Sequence, residues 1–350
     1  MKTAAYAAPA PKAPLAPFTI ERREPGPRDV RIDVLFCGVC HSDIHQARAE
    51  WGDAIFPMVP GHEVLGRVSA VGAGVTKVKV GDLAAVGCMV DSCRKCAPCG
   101  RDREQFCLEG PAFTYNSTEM DRVTPTFGGY SAQIVVAERF ALKVPAGLDP
   151  AGAAPLLCAG ITTYSPLRQW GCKRGDRVGV IGLGGLGHMA VKLAASMGAE
   201  VTVFSTSASK AADAKRLGAH HFFATRDATD ATFEPLKGRF DLIIDSVSAP
   251  HDYNAYLGTL RAEGVMVLVG APPEPSPLKA FALIPGNKRL VGSMIGGVAE
   301  TQEMLDYCAE RKIVADVEVI PIQKINEAYE RMMRADVRYR FVIDMATLKG

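Results

Sequence analysis

The sequence predicts an α/β protein of two domains, one rich in short strands and one a doubly wound parallel sheet. Three observations predict it. The chain has 350 residues, enough for two cores of ordinary size. Up to about residue 150 it reads as short β-branched stretches broken by Gly, Pro and Asp, and beyond that apolar strands alternate with helical patterns. "VGVIGLGGLGHMAVKLA" then sets glycines in G-x-G-x-x-G register between one such strand and one such helix.

In chain order, "MKTAAYAAPAPKAPLAPFTI" has the early lysine and alanines of a leader segment, but Pro9, Pro11, Pro14, Pro17 and Lys12 break its apolar run, so no leader is expected. "DVRIDVLFCGVC", "HEVLGRVSAVG", "GDLAAVG" and "GGYSAQIVVAERFALKVP" read as strands separated by turns. After "PAGLDPAGAAPLLCAG" the texture changes. "DRVGVIGLGGLG", "HMAVKLAASMGA", "EVTVFST", "SASKAADAKRLGA", "FDLIIDSV", "HDYNAYLGTLRAEG" and "VMVLVGAP" alternate strand and helix, as a parallel sheet with crossover helices requires. The C-terminal part reads as two helices and a closing strand that returns to the first domain.

Composition narrows the function. The net charge is +2, with Lys and Arg interspersed among Asp and Glu, so neither nucleic acid nor a membrane surface is an expected partner. The longest apolar run, near residues 178–187, falls short of the roughly 20 residues a bilayer needs. A cytoplasmic location is expected, where ten cysteines read as thiols or metal ligands rather than disulfides.

The glycine loop comprises Gly182, Leu183, Gly184, Gly185, Leu186 and Gly187. Its first glycine permits the tight turn, its second lets a pyrophosphate approach, and its third lets helix and strand pack closely. Packing alone is the plainer alternative, but a strand before and a helix after favour a dinucleotide. An NAD site usually has an acidic residue at the end of the next strand. Here that strand ends in Ser205, Thr206 and Ser207, with Lys210 one turn beyond, while Glu200 stands at its wrong end. Hydroxyls and a cation suit a 2′-phosphate, so NADP(H) is expected, with a capped helix and a solvated lysine as the alternative.

"CRKCAPCGRDREQFC" carries Cys93, Cys96, Cys99 and Cys107 in fifteen residues. Disulfide staple, nucleic-acid finger, redox centre and metal clip are all open from the spacing, the first two disfavoured by compartment and charge. Elsewhere "CGVCHSDIH" offers Cys37, Cys40, His41, Ser42, Asp43 and His45, "GHEVLGRV" offers His62 and Glu63, and "PLLCAG" offers Cys158. Singly, each is as well explained by an ordinary core thiol or histidine.

Together, "CGVCHSDIHQ", "GHEVLGRV", "CAGITTYSPL", "GLGGLGH" and "YRFVID" resemble the zinc-dependent medium-chain alcohol dehydrogenases over essentially the whole length. Within them the chain looks most like the cinnamyl alcohol dehydrogenase branch with its bacterial NADP-dependent aldehyde reductases. The resemblance implies a GroES-like catalytic domain at 1–154 and 296–350 and a Rossmann coenzyme domain at 155–295. It implies two Zn²⁺ per chain. One is a closed structural site of Cys93, Cys96, Cys99 and Cys107, and the other a catalytic site of Cys40, His62 and Cys158 with Glu63 beside it. Cys37, Cys88, Cys172 and Cys308 match no ligand.

The same resemblance implies roles. Asp43 would orient His62, with a helix-capping acid as its alternative. Ser42 would contact the substrate oxygen and His45, unless it is a surface histidine, would end a proton relay. Plant members often carry Thr where this chain has Ser42. Thr162, Ser246, Gly270, Ser293, Met294 and Ile295 would line the cofactor, with His41 and Arg340 facing its pyrophosphate. Trp51, Cys88, Phe113, Met294 and Ile295 would line an apolar substrate pocket. Trp51 stands where plant members often have an aliphatic residue, which argues against a strict cinnamyl preference. The expected activity is hydride transfer between NADP(H) and a primary alcohol or aldehyde, aromatic or aliphatic, by a homodimer associating through the edge of the nucleotide-binding sheet. The alternatives are an NAD-linked polyol or amino-alcohol dehydrogenase of the same superfamily, or a nucleotide-binding zinc protein without turnover.

Overall fold

A computed structural model describes residues 1–348 and divides the chain into two units, Met1–Ile161 with the segment from Gly296 onward, and Thr162–Ile295. The first is organised by the strand Asp29–Val39, whose buried and half-buried residues alternate along most of its length. It pairs antiparallel with Val64–Val71, Gln133–Ala137 and Arg340–Asp344. Leu83–Val86 and Leu142–Lys143 extend the sheet on one side, and Val317–Pro321 closes the other in parallel with Arg340–Asp344. That last strand falls within the stretch read as two helices and a terminal strand. The short V-E-V-I-P run ends in Pro321 at a sheet edge, where a missing N–H costs no ladder bond. Ile32, Val68, Tyr130, Ile134, Phe341 and Ile343 form the core beneath, with Ile44 added by the helix His41–Ala47. Each such side chain contributes on the order of 1.5–3 kcal/mol by leaving water.

Every strand pair in the second unit is parallel, in the order His221–Ala224, Glu200–Ser205, Arg177–Ile181, Phe240–Asp245, Leu260–Leu268, Arg289–Gly292. This is the 3-2-1-4-5-6 order of a doubly wound sheet, which reverses beside Arg177–Ile181, the strand that precedes the glycine loop. Phe204, Phe240, Ile243 and Met266 fill its core, and the rings of Phe204 and Phe240 meet edge-on at 5.5 Å. The helix Tyr253–Thr259 stops earlier than its sequence suggests, because Leu260 already pairs with Phe240 and Arg261–Gly264 belong to the strand. Among the described residues no helix is long and apolar enough to cross a membrane.

Candidate active site and metal centres

The strand Asp29–Val39 delivers Cys40 to the N-terminus of the helix His41–Ala47. There Cys40, His62, Glu63 and Cys158, all buried, bring their ligand atoms within 4.8 Å of one another. Thiolates bound about 2.3 Å from a tetrahedral zinc stand about 3.8 Å apart. The Cys40 and Cys158 sulfurs are 3.9 Å apart. Glu63 enters because Gly38 has no side chain: a Cβ there would lie 1.8 Å from Glu63 Oε2. That oxygen is buried with no hydrogen-bond partner, which suits a carboxylate beside a cation. The donors fit zinc.

Charge is arranged around this cluster. Burial pushes the Glu63 carboxyl up to about 7, against the opposing charge of Arg340. Arg340 is itself buried and its guanidinium pairs with Glu63 Oε1. Expected at a pyrophosphate, it pairs with this carboxylate through one terminal nitrogen, across 277 residues that no local pattern announces. A hydrogen bond from Cys158 holds the Cys40 thiol well below its ordinary range. Bonds to Cys40 and Cys88 push Cys158 upward.

Asp43 joins both roles proposed for it. Its fully buried carboxylate accepts from the Cys40 amide at 2.8 Å, capping the helix, and from His62 Nδ1 at 3.2 Å. It also accepts from the Gly61 amide at 3.0 Å and the Tyr130 hydroxyl at 3.3 Å. His62 Nε2 is thereby left for a metal. Burial opposes the charged imidazole, but Asp43 outweighs it and raises the His62 pKa. The His62 ring stacks on Tyr115 at 5.7 Å. Tyr115 and Tyr130 were not singled out from sequence, since both look like ordinary core aromatics.

Ser42 Oγ lies 3.6 Å from Cys40 Sγ. His45 Nδ1 pairs with Glu50 Oε2 at 2.5 Å, and its ring stacks on Trp51 at 4.9 Å. Glu50 escaped the sequence reading. An acid five residues after a histidine is not a helix-face neighbour, but the helix ends at Ala47 and the chain turns back. Trp51 is half exposed, Phe113 is partly buried, and the partly buried Cys88 thiol reaches the Leu157 carbonyl and neighbours Cys158.

The second cluster is Cys93, Cys96, Cys99 and Cys107. The Cys93 and Cys99 sulfurs are 3.9 Å apart, again the tetrahedral spacing. Backbone amides donate to sulfur, among them Cys93 to Cys107 at 3.4 Å, Cys96 to Cys93 at 3.3 Å, and Leu108 to Cys96 at 3.5 Å. Such bonds favour thiolates, and those from Leu108 and Cys99 lower Cys96 to about 6. The lobe is tied down by Glu104, which accepts from Arg139 at 3.0 Å and from the Val298 amide at 3.1 Å. All ten cysteines carry free thiols in the structure.

In the second unit Gly182 has φ +87°, and a Cβ on Gly187 would strike the Gly182 carbonyl at 2.1 Å, so both must be glycine. A Cβ on Gly184 would meet nothing within 4 Å, leaving its backbone open to approach. The four residues expected at a 2′-phosphate separate. Thr206 and Ser207 line a cavity of about 370 Å³ with Ser209, Arg226 and Asp227. Ser205 is buried and its Oγ accepts from the Ser207 amide at 3.2 Å, while Lys210 Nζ donates to the Leu183 carbonyl of the glycine loop at 2.8 Å. Thus Ser205 supports the turn and Lys210 reaches the loop, and neither lines that cavity. Ser246 Oγ donates to the Ile181 carbonyl at 2.8 Å, and Gly270 packs on Val247, where a Cβ would come within 2.4 Å of the backbone. Thr162 is buried, and Ser293, Met294 and Ile295 follow the strand Arg289–Gly292. His41 opens the helix beside Cys40 and is exposed.

Residues 26–146 match the alcohol dehydrogenase GroES-like domain and residues 185–310 the zinc-binding dehydrogenase domain. The chain is 54% identical to NADP-dependent alcohol dehydrogenase C 1 of Mycolicibacterium smegmatis and 53% identical to aldehyde reductase YahK of Escherichia coli, each over 99% of both chains. It superposes on a cinnamyl alcohol dehydrogenase of Sorghum bicolor with a TM-score of 0.96 at 46% identity, covering 100% of this chain and 99% of that one. With both metal clusters and the glycine loop in place, the chain belongs to the zinc-dependent alcohol dehydrogenase family.

Proposed function

We propose that the protein transfers a hydride between NADP(H) and primary alcohols or aldehydes, working chiefly as a broad-range aldehyde reductase. One observation carries the reading: a buried Cys-His-Cys set with an unpartnered carboxylate oxygen, in a chain whose nucleotide strand ends in hydroxyls rather than an acid. Cys40, His62 and Cys158 would hold the catalytic zinc with Glu63 as an exchangeable fourth donor, and Cys93, Cys96, Cys99 and Cys107 would hold the structural one. Zinc, when bound at the first set, supplies Lewis acidity to the substrate oxygen, and NADP(H) supplies or accepts the hydride.

The chain's own residues manage position and protons. Asp43 holds the His62 ring through Nδ1, so that Nε2 would be free to bind the metal. The Ser42 hydroxyl, beside Cys40, receives the proton of the alcohol and passes it on. His45 donates Nδ1–H to Glu50, which leaves Nε2 as the basic nitrogen that takes the proton toward solvent. Trp51, Cys88 and Phe113 give the substrate an apolar wall. Gly182, Gly184 and Gly187 receive the pyrophosphate, with Thr206 and Ser207 at the 2′-phosphate and Thr162, Ser246, Gly270, Ser293, Met294 and Ile295 along the cofactor.

The protein works as a cytoplasmic homodimer; its unbridged cysteines and the open edge of the sheet at Arg289–Gly292 support this. The test is zinc per chain together with NADPH oxidation by benzaldehyde. Two zincs and turnover are expected; NADPH binding without turnover in the two-zinc protein would refute the reading.

A further inference from the structure

The strand Phe240–Asp245 ends in a carboxylate that a later side chain turns back to meet. The Asp245 side chain is 2% exposed, and its Oδ1 accepts from the Val247 amide at 3.1 Å. His251 Nε2 lies 2.9 Å from Asp245 Oδ2, and His251 Nδ1 lies 2.8 Å from the Ala249 carbonyl oxygen. Both partners, a carboxylate and a carbonyl, are acceptors. A neutral imidazole has one N–H to give and would leave one of the two contacts unmade. The ring satisfies both only as an imidazolium. Tyr253 and Tyr256, from the helix Tyr253–Thr259, stand edge-on to it at 4.9 and 5.9 Å, and Asp252 adds a second carboxylate from the turn before that helix. Burial opposes the charge, but the bonds to Asp245 and Ala249 outweigh it and raise the His251 pKa above its ordinary 6.5.

The segment that this ring closes, residues 246–251, packs against the glycine loop. Ser246 gives both its amide and its hydroxyl to the Ile181 carbonyl, at 3.0 and 2.8 Å. A Cβ on Gly182 would strike Val247 at 2.7 Å, and one on Gly270 would strike the Val247 carbonyl at 2.4 Å, so Val247 fills the space beside both glycines. Between Asp245 and Tyr253 the chain forms no helix or strand, and the His251 side chain ties it back to the strand end. Resting on the cofactor reading, we propose that His251 is a positioning residue whose charged ring keeps residues 246–251 seated against the glycine loop, so that cofactor affinity depends on its proton. It acts through Ser246 and Val247. When the proton leaves, one ring contact is lost, the buried carboxylate loses its countercharge, and the segment loosens against Gly182. Because the folded pKa is the higher one, the clamp's contribution is full below 6.5 and is lost as pH rises through the raised value.

Nitrogen NMR of the full-length protein labelled at histidine, with NADP⁺ titrations from about pH 6 to about pH 9, tests this. The His251 signal is identified by its absence in His251→Gln. Two protonated ring nitrogens are expected at neutral pH without cofactor, and a single one would overturn the proposal. The ratio of NADP⁺ dissociation constants, His251→Gln over wild type, should fall from about five to ten at the acid end to about one at the alkaline end. By linkage NADP⁺ should raise the His251 midpoint by the logarithm of that factor, about 0.7–1 unit. A ratio that is constant with pH, or a midpoint that NADP⁺ does not move, is the mark of a merely structural ring and would overturn the proposal. Asp245→Asn should bring the midpoint down to about 6.5 or below, and an unchanged midpoint there would place the countercharge elsewhere and refute the clamp. The two failures read differently. A wild type that binds no NADP⁺ overturns the cofactor reading and the coupling built on it, whereas tight binding with a flat ratio overturns the clamp alone.

Discussion

The two cysteine clusters use the same chemistry in opposite settings. Cys93, Cys96, Cys99 and Cys107 come from one fifteen-residue stretch, two of them partly exposed, with backbone amides donating to their sulfurs. Cys40, His62, Glu63 and Cys158 come from three separate segments and are all buried, and a carboxylate network rather than the backbone orients them. The first set is complete with four thiolates and leaves no position for a reactant. The second mixes donors and keeps one, Glu63, paired with Arg340 through a single oxygen. Local ligands staple a loop. Ligands gathered from afar, at a junction of strand and helix, make a site whose occupancy can change without the fold changing.

The difference is broken most drastically at Cys158. Cys158→Ala should lower kcat by more than about a thousandfold while the melting temperature stays within a few degrees, because it removes a ligand at the open centre only. Turnover assays with calorimetry check both halves. Cys99→Ser attacks the other cluster and should do the reverse. One zinc per chain is lost and the melting temperature falls on the order of 5–10 °C, with the remaining folded fraction still active. Retention of two zincs in that variant would remove the distinction.

Smaller changes sharpen the comparison. Asp43→Asn keeps the shape but weakens the hold on His62, and zinc affinity at that centre should drop about ten- to a hundredfold in chelator competition. The structural site should be untouched. His45→Gln and Glu50→Gln probe the proton path. The first should cost about a hundredfold in kcat, and the second only several-fold, since Glu50 merely sets the tautomer and orientation of the imidazole. Both should shift the pH profile of kcat while leaving bound zinc unchanged. A zinc loss in Glu50→Gln would mean that it supports the fold rather than the relay.

Legibility in the sequence follows the same division. The lobe is visible because its ligands lie within one short segment, and spacing alone narrows the possibilities. The doubly wound sheet is visible because period and glycines agree over many residues. Cys40, His62 and Cys158 are individually ordinary, and only the resemblance of whole motifs joined them. What escaped depends on tertiary approach. Arg340 meets Glu63 across the sheet, Tyr130 reaches Asp43 from a distant loop, and Glu50 returns after the helix ends. At the end of the strand Glu200–Ser205 the cavity is lined by Arg226, which follows the adjacent strand, while Lys210 from the next turn reaches the glycine loop.

The central claim is that one cluster serves chemistry and the other the fold, and stepwise zinc removal tests it most directly. A small bidentate chelator can join the open centre before extracting its metal, whereas the four-thiolate centre offers no such entry. Zinc release, NADPH-dependent benzaldehyde reduction and circular dichroism are followed together in one sample. The account predicts that activity vanishes with the first zinc per chain while the spectrum holds, and that the spectrum changes only with the second. Activity surviving loss of the first zinc, or activity and structure collapsing in step, would contradict it.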